Sequence, residues 1–284
     1  MAGVLFDGIA YGSLLFVVSL GLSVTMGLMN FVNLAHGAFA MAGGYVCVVA
    51  MTRFGIPFLA ALPLAFIATA AGGAILERAL YRRLYGASHL DQVLFSIGLT
   101  FMAIAGATWI FGPSQQPVRL PEILRGQWHV AGVDVGIYRV FLVAMVAAIT
   151  ALLALLVERT RFGAQVRASV DDARTARGMG IDVDRVFSVT FALGSGLAGL
   201  GGALGIEVLG LEPTFPLKFM VYFLLIVVVG GAGNVAGTLA TAMLLGVLDV
   251  AGKYYLPQAG AFVIYAAMVV LLIAFPRGLF GRKA

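Results

Sequence analysis

Lysine, arginine, aspartate and glutamate are so unevenly placed that they divide the chain into seven long runs without charge. These runs are 8–52, 54–76, 92–118, 140–157, 186–206, 219–248 and 254–276. A helix needs about 20 predominantly apolar residues to cross a hydrocarbon core of about 30 Å. The pattern therefore predicts a membrane protein whose spanning helices follow one another along the whole chain.

Two of the runs are too long for one spanning helix. At about 1.5 Å per residue, 8–52 would form a helix of about 68 Å and 219–248 one of about 45 Å. Each run must therefore break, and each contains a stretch that allows it: MNFVNLAHG, residues 29–37, and GGAGNVAG, residues 230–237. The two pieces of the second run form either two spans or a re-entrant hairpin.

We therefore predict an all-α polytopic membrane fold of about 8–10 transmembrane segments, two of them broken or re-entrant. Residues 1–284 form one transmembrane domain in this interpretation. The composition agrees, because 61% of the residues are hydrophobic and 11% are charged, whereas soluble proteins average about 25% charged residues. The N-terminus lacks the basic region of a cleaved signal peptide, so the first hydrophobic segment is expected to be retained.

The basic residues predict how the chain is oriented. Twelve of the eighteen lie in the connections 77–91 and 158–185 and in the tail from Arg277. Because cytoplasmic loops carry an excess of lysine and arginine, these segments are placed in the cytoplasm, with the N-terminus outside and the C-terminus inside. Residues 112–138 are then an external loop, and three prolines argue against a helix in its first half. The same excess explains the net charge without a nucleic-acid partner.

The polar residues of the two interruptions are the first candidates for function. They are Asn30, Asn33, His36 and Gly37 in the first and Asn234 in the second. Interrupted segments in corresponding positions of two halves indicate a transporter's pathway, because non-helical backbone at membrane depth needs protein or water to satisfy its amides. The alternative is packing, in which glycines let helices approach and asparagines bond across an interface. The residues alone leave both open.

His36 admits several roles. It can relay protons within a membrane, which would make the chain a self-sufficient channel or a proton-coupled transporter. A metal site is disfavoured because no second histidine, cysteine or carboxylate lies at ligand spacing. A membrane enzyme with His36 or Glu207 as its base is another alternative. We favour a neutral histidine that is hydrogen-bonded across the break, and we expect Glu207 and Asp249 to be solvated at segment ends.

The sequence carries no signature of a common enzyme. No HExxH, GxSxG or CxxC occurs, and GVLDVAGKYY lacks both the spacing of a P-loop and the hydroxyl after Lys253. We therefore expect no catalytic residue, no metal and no cofactor in this chain.

The connection 158–185 is the longest charged stretch. Between Arg161 and Ile181 it predicts one short helix, closed by Gly178 and Gly180. One face of this helix carries the apolar side chains of Val166, Val170 and Ala173. Such a helix either docks in the groove of a partner or lies on the membrane surface with its basic residues on lipid phosphates.

Four stretches of the sequence together resemble the LivH-type inner-membrane permeases, which serve ATP-binding-cassette (ABC) importers of branched-chain amino acids and related solutes. The stretches are GLMNFVNLAHGAFAMAGGY, ILERALYRRLYGASHLDQVLFSIGLTF, RTRFGAQVRASVDDARTARGMGI and VVVGGAGNVAGTLA. They occur in the family's order and extend from the first long run to the C-terminal tail. Both interruptions and the charged connection belong to them.

The resemblance implies a permease of a bacterial inner membrane that pairs with a second, related permease to enclose a pathway. Two cytoplasmic ATP-binding subunits would bind ATP and Mg, and an extracytoplasmic binding protein would deliver the solute. The cargo would be a branched-chain amino acid or a similar small solute, such as urea, a short amide or an aromatic carboxylate. It would move by alternating access, and the residues of the two interruptions would line or brace its pathway.

The resemblance also identifies the connection 158–185 with the family's coupling helix, which fits a groove of the ATPase. In many such importers the motif begins Glu-Ala-Ala, with a glycine four residues after the second alanine. Here the stretch reads Arg174-Thr175-Ala176 with Gly180, so the glycine is kept and the glutamate is not. The candidate coupling residues are Arg167, Asp171, Asp172, Arg174, Thr175, Ala176, Met179 and Gly180.

Overall fold

The long apolar runs form α-helices in the computed structural model of the chain, which describes residues 1–29, 31, 33–118, 120–130 and 133–275. Asn30 and the tail from Arg277 lie outside the described residues. The helices are α1 (Ala2–Met29), α2 (His36–Phe54), α3 (Phe58–Ala79), α4 (His89–Phe111), α5 (Ile137–Arg159), α6 (Arg161–Asp171), α7 (Ala173–Gly178), α8 (Val183–Leu209), α9 (Phe215–Gly230), α10 (Val235–Tyr255) and α11 (Gly260–Ala274).

Seven helices in the described part of the chain have the length and apolar composition of membrane spans, namely α1 to α5, α8 and α10. The shorter apolar helices α9 and α11 accompany them. Both long runs are interrupted at the expected stretches, because α1 ends at Met29 before α2 begins at His36, and α9 ends at Gly230 before α10 begins at Val235. The prediction of an all-α polytopic membrane protein is confirmed.

Helices α1 and α8 form the centre of the structure. Most of their residues are buried, whereas α4 and α5 expose most of theirs. The core cluster draws on α1, α2 and α8, with Leu14, Phe16, Cys47 and Leu204 fully buried. The outer helices therefore present their apolar surface to lipid or to a partner subunit.

Glycines let the central helices touch backbone to backbone. A Cβ atom added to Gly202 on α8 would lie 1.9 Å from the carbonyl oxygen of Ala40 on α2. One added to Gly43 on α2 would lie 2.2 Å from the Cα atom of Gly199 on α8. Small residues at helix crossings are typical of membrane proteins, where close van der Waals packing drives helix association.

Ion pairs join separate segments of the chain at two places. On one side, the short turn Tyr81–Leu84 meets the segment around α7, because Asp184 accepts hydrogen bonds from Arg82 at 2.6 Å and from Arg177 at 2.9 Å. The predicted cytoplasmic connections 77–91 and 158–185 thus lie together. Arg139 pairs with Asp7, which places the start of α5 beside the N-terminal end of α1.

The predicted external loop contains a feature that the sequence reading did not expect. Its first half has no α-helix among the described residues, only the turn Glu122–Leu124. An antiparallel hairpin of β1 (Gln127–Val130) and β2 (Val133–Gly136) follows and leads directly into α5. Gln116 N–H donates to the Leu211 carbonyl at 2.8 Å and ties the loop to the chain that follows α8.

The single helix predicted between Arg161 and Ile181 is instead two helices, α6 and α7, separated at Asp172. Asp172 is extended, with φ −156° and ψ 99°, and its carboxylate accepts hydrogen bonds from the amides of Arg174 at 2.9 Å and Thr175 at 3.1 Å. These bonds cap the second helix. Hydrogen bonds from the Thr175 hydroxyl, and then from its amide, lower the pKa of Asp172 below its usual value, so this cap is present at neutral pH and is lost only in acid.

Candidate functional site

Asn33 fixes the first break to the turn that follows α3. Its side-chain oxygen accepts hydrogen bonds from the Ala35 amide and from the Tyr81 hydroxyl, both at 3.0 Å. Asn33 is only 3% exposed and Tyr81 is fully buried. The asparagine therefore satisfies non-helical backbone and holds a buried phenol at the same time, which is how broken backbone is stabilised inside a membrane protein.

Aromatic rings surround this contact. The Tyr81 ring lies 5.4 Å from that of Phe31, 5.1 Å from that of Phe95 and 4.7 Å from that of Phe191, measured between centroids. Phe31 belongs to the break itself, Phe95 to α4 and Phe191 to α8. The break is thus packed against three other parts of the fold.

His36 begins α2 and reaches back to α1. Its Nε2 atom lies 2.8 Å from the carbonyl oxygen of Val18. A carbonyl can only accept, so Nε2 carries the hydrogen of this bond. A Cβ atom added to Gly21 would lie 2.9 Å from the ring of His36, so glycine on α1 makes room for the imidazole. The ion pairs found among the described residues do not include His36, and burial without a countercharge favours the neutral ring.

Gly37 brings the first break against the start of α9. A Cβ atom added there would lie 3.0 Å from the Cα atom of Pro216, the second residue of α9. A side chain at position 37 would therefore be crowded against this proline.

The second break is built from glycines and one asparagine. Gly231 and Gly233 have φ angles of +88° and +80°, which other residues rarely adopt. Asn234 caps α10 by accepting a hydrogen bond from the Gly237 amide at 3.0 Å. The Gly233 amide donates to the Ser23 carbonyl on α1 at 2.9 Å.

The two breaks therefore meet on one segment of α1. Val18 accepts from His36 of the first break, and Ser23 accepts from Gly233 of the second. These two carbonyls are five residues apart in the sequence, or about 7.5 Å along a helix axis. The hydroxyls of Ser23 and Thr238 add a hydrogen bond of 2.9 Å between α1 and α10. A displacement of α1 would move both breaks together.

The candidate residues at the breaks differ in burial from those of the connection 158–185. Asn33 and His36 are buried inside this chain, while Asn234 is half-buried. Of the coupling candidates, Ala176 on α7 is buried. The others are exposed: Arg167, Asp171, Asp172, Arg174, Thr175, Met179 and Gly180. Met179, at the end of α7, has 78% of its surface exposed.

The expectation for Asp249 was wrong. Asp249 is 1% exposed, and its Oδ2 atom accepts a hydrogen bond from Lys253 at 2.5 Å, one helical turn farther along α10. The Lys253 ammonium also lies 5.6 Å from the centre of the Tyr11 ring on α1. Glu207, by contrast, is exposed near the end of α8. The spacing of Asp249 and Lys253 was the available signal, because residues four apart are neighbours on a helix.

Asn33→Ala should lower the free energy of unfolding by about 1–3 kcal/mol, because the buried Tyr81 hydroxyl and Ala35 amide lose their common acceptor. Thermal unfolding of the purified chain measures the loss. The same substitution in a Tyr81→Phe background is the control and should cost less, since one orphaned donor is then absent. Unchanged stability in both backgrounds would show that Asn33 does not brace the break.

Comparisons with known proteins cover nearly the whole chain. Residues 4–273 match the family described as branched-chain amino acid transport system / permease component. The chain is 26% identical to the high-affinity branched-chain amino acid transport system permease protein LivH of Escherichia coli strain K12 over 293 residues, which cover 98% of this chain and 94% of LivH. Identity to the corresponding protein BraD of Pseudomonas aeruginosa is 25%, covering 98% of this chain and 95% of BraD.

A second kind of permease is also similar. LivM of Salmonella typhimurium, a permease protein of the high-affinity branched-chain amino acid transport system, is 25% identical over 286 residues, which cover 93% of this chain and 67% of LivM. No solved structure matches the chain.

Proposed function

Since the chain belongs to the family of permease components of branched-chain amino acid transport systems, we propose that it forms half of the pathway through which an ABC importer moves a branched-chain amino acid inward. The match over residues 4–273 is the observation that carries this proposal. The resemblance to LivH-type permeases is confirmed, and so is the prediction that the chain is a transport permease of the inner membrane rather than an enzyme.

The chain pairs with a second permease subunit in this proposal. LivH and LivM are both permease proteins of the branched-chain amino acid transport system, and both are similar to this chain. The exposed helices α4 and α5 offer apolar surface for such a partner. Two cytoplasmic subunits would bind ATP and Mg, and a solute-binding protein would act on the other side, where we place the N-terminus.

The contacts around α7 support a role in coupling. Its segment is joined to the turn Tyr81–Leu84 through Asp184, which holds both Arg177 and Arg82. Tyr81 of the same turn holds Asn33 in the first break. A push on α7 by an ATPase subunit would therefore reach the first break through three successive side-chain contacts. These ion pairs are half exposed and contribute little to stability, so their effect is to fix positions.

Alternating access would use the segment of α1 that both breaks share. The hydrogen bonds at Val18 and Ser23 connect α1 to α2 and to the chain before α10. Movement of α1 against α8 would reposition both breaks as one unit, which is the rigid-body form of gating found in many transporters.

The test is ATPase stimulation in nanodiscs, with this chain coexpressed with its genomic neighbours and titrated with solute-loaded binding protein. Stimulation that requires leucine, isoleucine or valine supports the proposal. Stimulation by urea, a short amide or an aromatic carboxylate instead would support an ABC importer, but one that carries that solute. Solute flux through the isolated chain without ATP would overturn the proposal in favour of a channel or proton-coupled transporter.

A further inference from the structure

A cavity opens on the side of the molecule where the N-terminal end of α1 and the β-hairpin lie. It has a volume of about 420 Å³ and is lined by Val118, Leu120, Arg125 and Glu207. A neighbouring cavity of about 340 Å³ shares Val118 and Glu207 with it and adds Gln115, Gln116, Pro117 and Ile206. Small-molecule sites commonly have volumes of about 300–1,000 Å³, so the space suits a solute of amino-acid size.

Among the residues that the structure describes, the lining of the larger cavity combines a cation, an anion and apolar side chains. Arg125 and Glu207 both line the larger cavity, yet they form no ion pair with each other among the described residues. Each is exposed and available to a ligand. Val118 and Leu120 supply an apolar wall of the same cavity. A free amino acid with an aliphatic side chain carries these same three features in complementary form.

Glu207 lies where the backbone of α8 also favours a positively charged ligand. Glu207 lies in the last turn of α8, which ends at Leu209. The C-terminal end of a helix carries a partial negative charge that favours cations. The carboxylate and the helix end therefore act together on an ammonium group, while Arg125 offers a guanidinium that can bind a carboxylate through two hydrogen bonds.

Hydrogen bonds to backbone carbonyls fix the segments that line the two cavities. The Gln116 amide donates to the Leu211 carbonyl, and the Gln116 side chain donates to the Phe111 carbonyl at 3.2 Å. Arg125 follows the turn Glu122–Leu124, and its amide donates to the Glu122 carbonyl at 3.1 Å. The two charged residues thus project from braced segments, which reduces the ordering that binding would require.

We propose that the space between Arg125 and Glu207 binds a free α-amino acid, with its carboxylate on Arg125, its ammonium on Glu207 and its aliphatic side chain against Val118 and Leu120. The inference rests on the proposed function in taking the transported solute as the ligand. It assigns this chain a solute site of its own, apart from the solute-binding protein. The site would receive the amino acid before it reaches the breaks.

The experiment measures binding of L-leucine to the permease complex in nanodiscs without the binding protein. Isoamylamine, which lacks the carboxylate, and 4-methylpentanoate, which lacks the ammonium, are the matched probes. Leucine should bind more tightly than either probe by about tenfold, because each probe loses one charged contact. Glu207→Gln should weaken leucine binding by about tenfold and leave 4-methylpentanoate unchanged. Arg125→Gln should show the reverse selectivity, weakening leucine and sparing isoamylamine.

Glu122→Gln is the control, because Glu122 is exposed on the adjacent turn but does not line the cavity. It should bind leucine as the unaltered chain does. Absence of leucine binding at millimolar concentration, or equal losses in all three variants, would overturn the inference. The inference is also overturned if the Glu207→Gln and Arg125→Gln variants bind leucine unchanged but bind the solute-free binding protein more weakly. The cavity would then be a contact surface for that protein. The ATPase assay that tests the proposed function is a separate measurement. It can show solute-dependent stimulation even if leucine does not bind in this cavity.

Discussion

Gly202→Ala should lower the free energy of unfolding of this chain by about 3 kcal/mol, at the upper end of the usual cost of overpacking. The added methyl would sit 1.9 Å from the carbonyl oxygen of Ala40. Because that oxygen is backbone and not the end of a flexible side chain, α2 and α8 must separate to admit it. Thermal unfolding followed by size-exclusion chromatography in detergent would measure the loss.

Two other glycines provide the matched control. At Gly72 on α3 and Gly98 on α4, an added Cβ would have no atom within 4 Å apart from the neighbouring backbone of its own helix. Gly72→Ala and Gly98→Ala should leave stability unchanged or raise it by up to about 1 kcal/mol, since alanine is the better helix former. If Gly202→Ala behaved like these two, α2 and α8 would not be in backbone contact.

Met179→Asp should weaken the complex with the ATPase subunits by about 10- to 100-fold and remove most of the stimulated ATPase activity. The estimate follows from the loss of about 1.5–3 kcal/mol for burying a methionine side chain in a partner's groove. Met179 is exposed at the end of α7, so the substitution leaves the fold of the isolated chain intact. Copurification of the ATPase and solute-stimulated ATP hydrolysis are the measurements.

The control keeps the position apolar. Met179→Leu should retain both copurification and stimulation, because the two side chains have similar size and hydrophobicity. Gly180 is left unaltered in both variants, since its φ of +84° would strain any replacement. A complex that survives Met179→Asp with normal stimulation would show that the ATPase docks elsewhere, and would favour a membrane-surface role for α6 and α7.

The sequence was sufficient to place the breaks in the two long apolar runs, because the constraint behind them is simple. A bilayer limits the length of a helix, so the runs 8–52 and 219–248 had to break, and polar residues and glycines marked where. The position of the two charged connections, 77–91 and 158–185, could also be predicted from the sequence. Their grouping agrees with the contact of Arg82 and Arg177 with Asp184.

Contacts between distant helices could not be predicted in this way. Nothing local to His36 or Gly233 indicates that both bind the same stretch of α1, since that depends on how distant helices pack. Asp249 was expected to be solvated because it lies near a predicted segment end, yet the folded chain leaves it only 1% exposed. Arg125 and Glu207 belong to segments separated by α5 to α7, so only the folded chain brings them to one cavity.

Asp172 shows a competition within one segment. The periodic pattern of 161–181 favours a continuous helix, but an aspartate can cap a new helix with its own side chain. Here the cap forms, since Asp172 accepts from Arg174 and Thr175. The prediction treated the residue as a helical position and so missed the division into α6 and α7.

The contact between α1 and α10 has a consequence for how the protein is made. Ser23 and Thr238, which share a hydrogen bond, are 215 residues apart. At a synthesis rate of about 5–20 residues per second, roughly 10–40 s separate their emergence from the ribosome. Throughout that interval the glycine face of α1, with Gly8 and Gly12, lacks the partner that it contacts in the finished fold. Helix α1 therefore gains its α10 partner only after the C-terminal part of the chain has been synthesised.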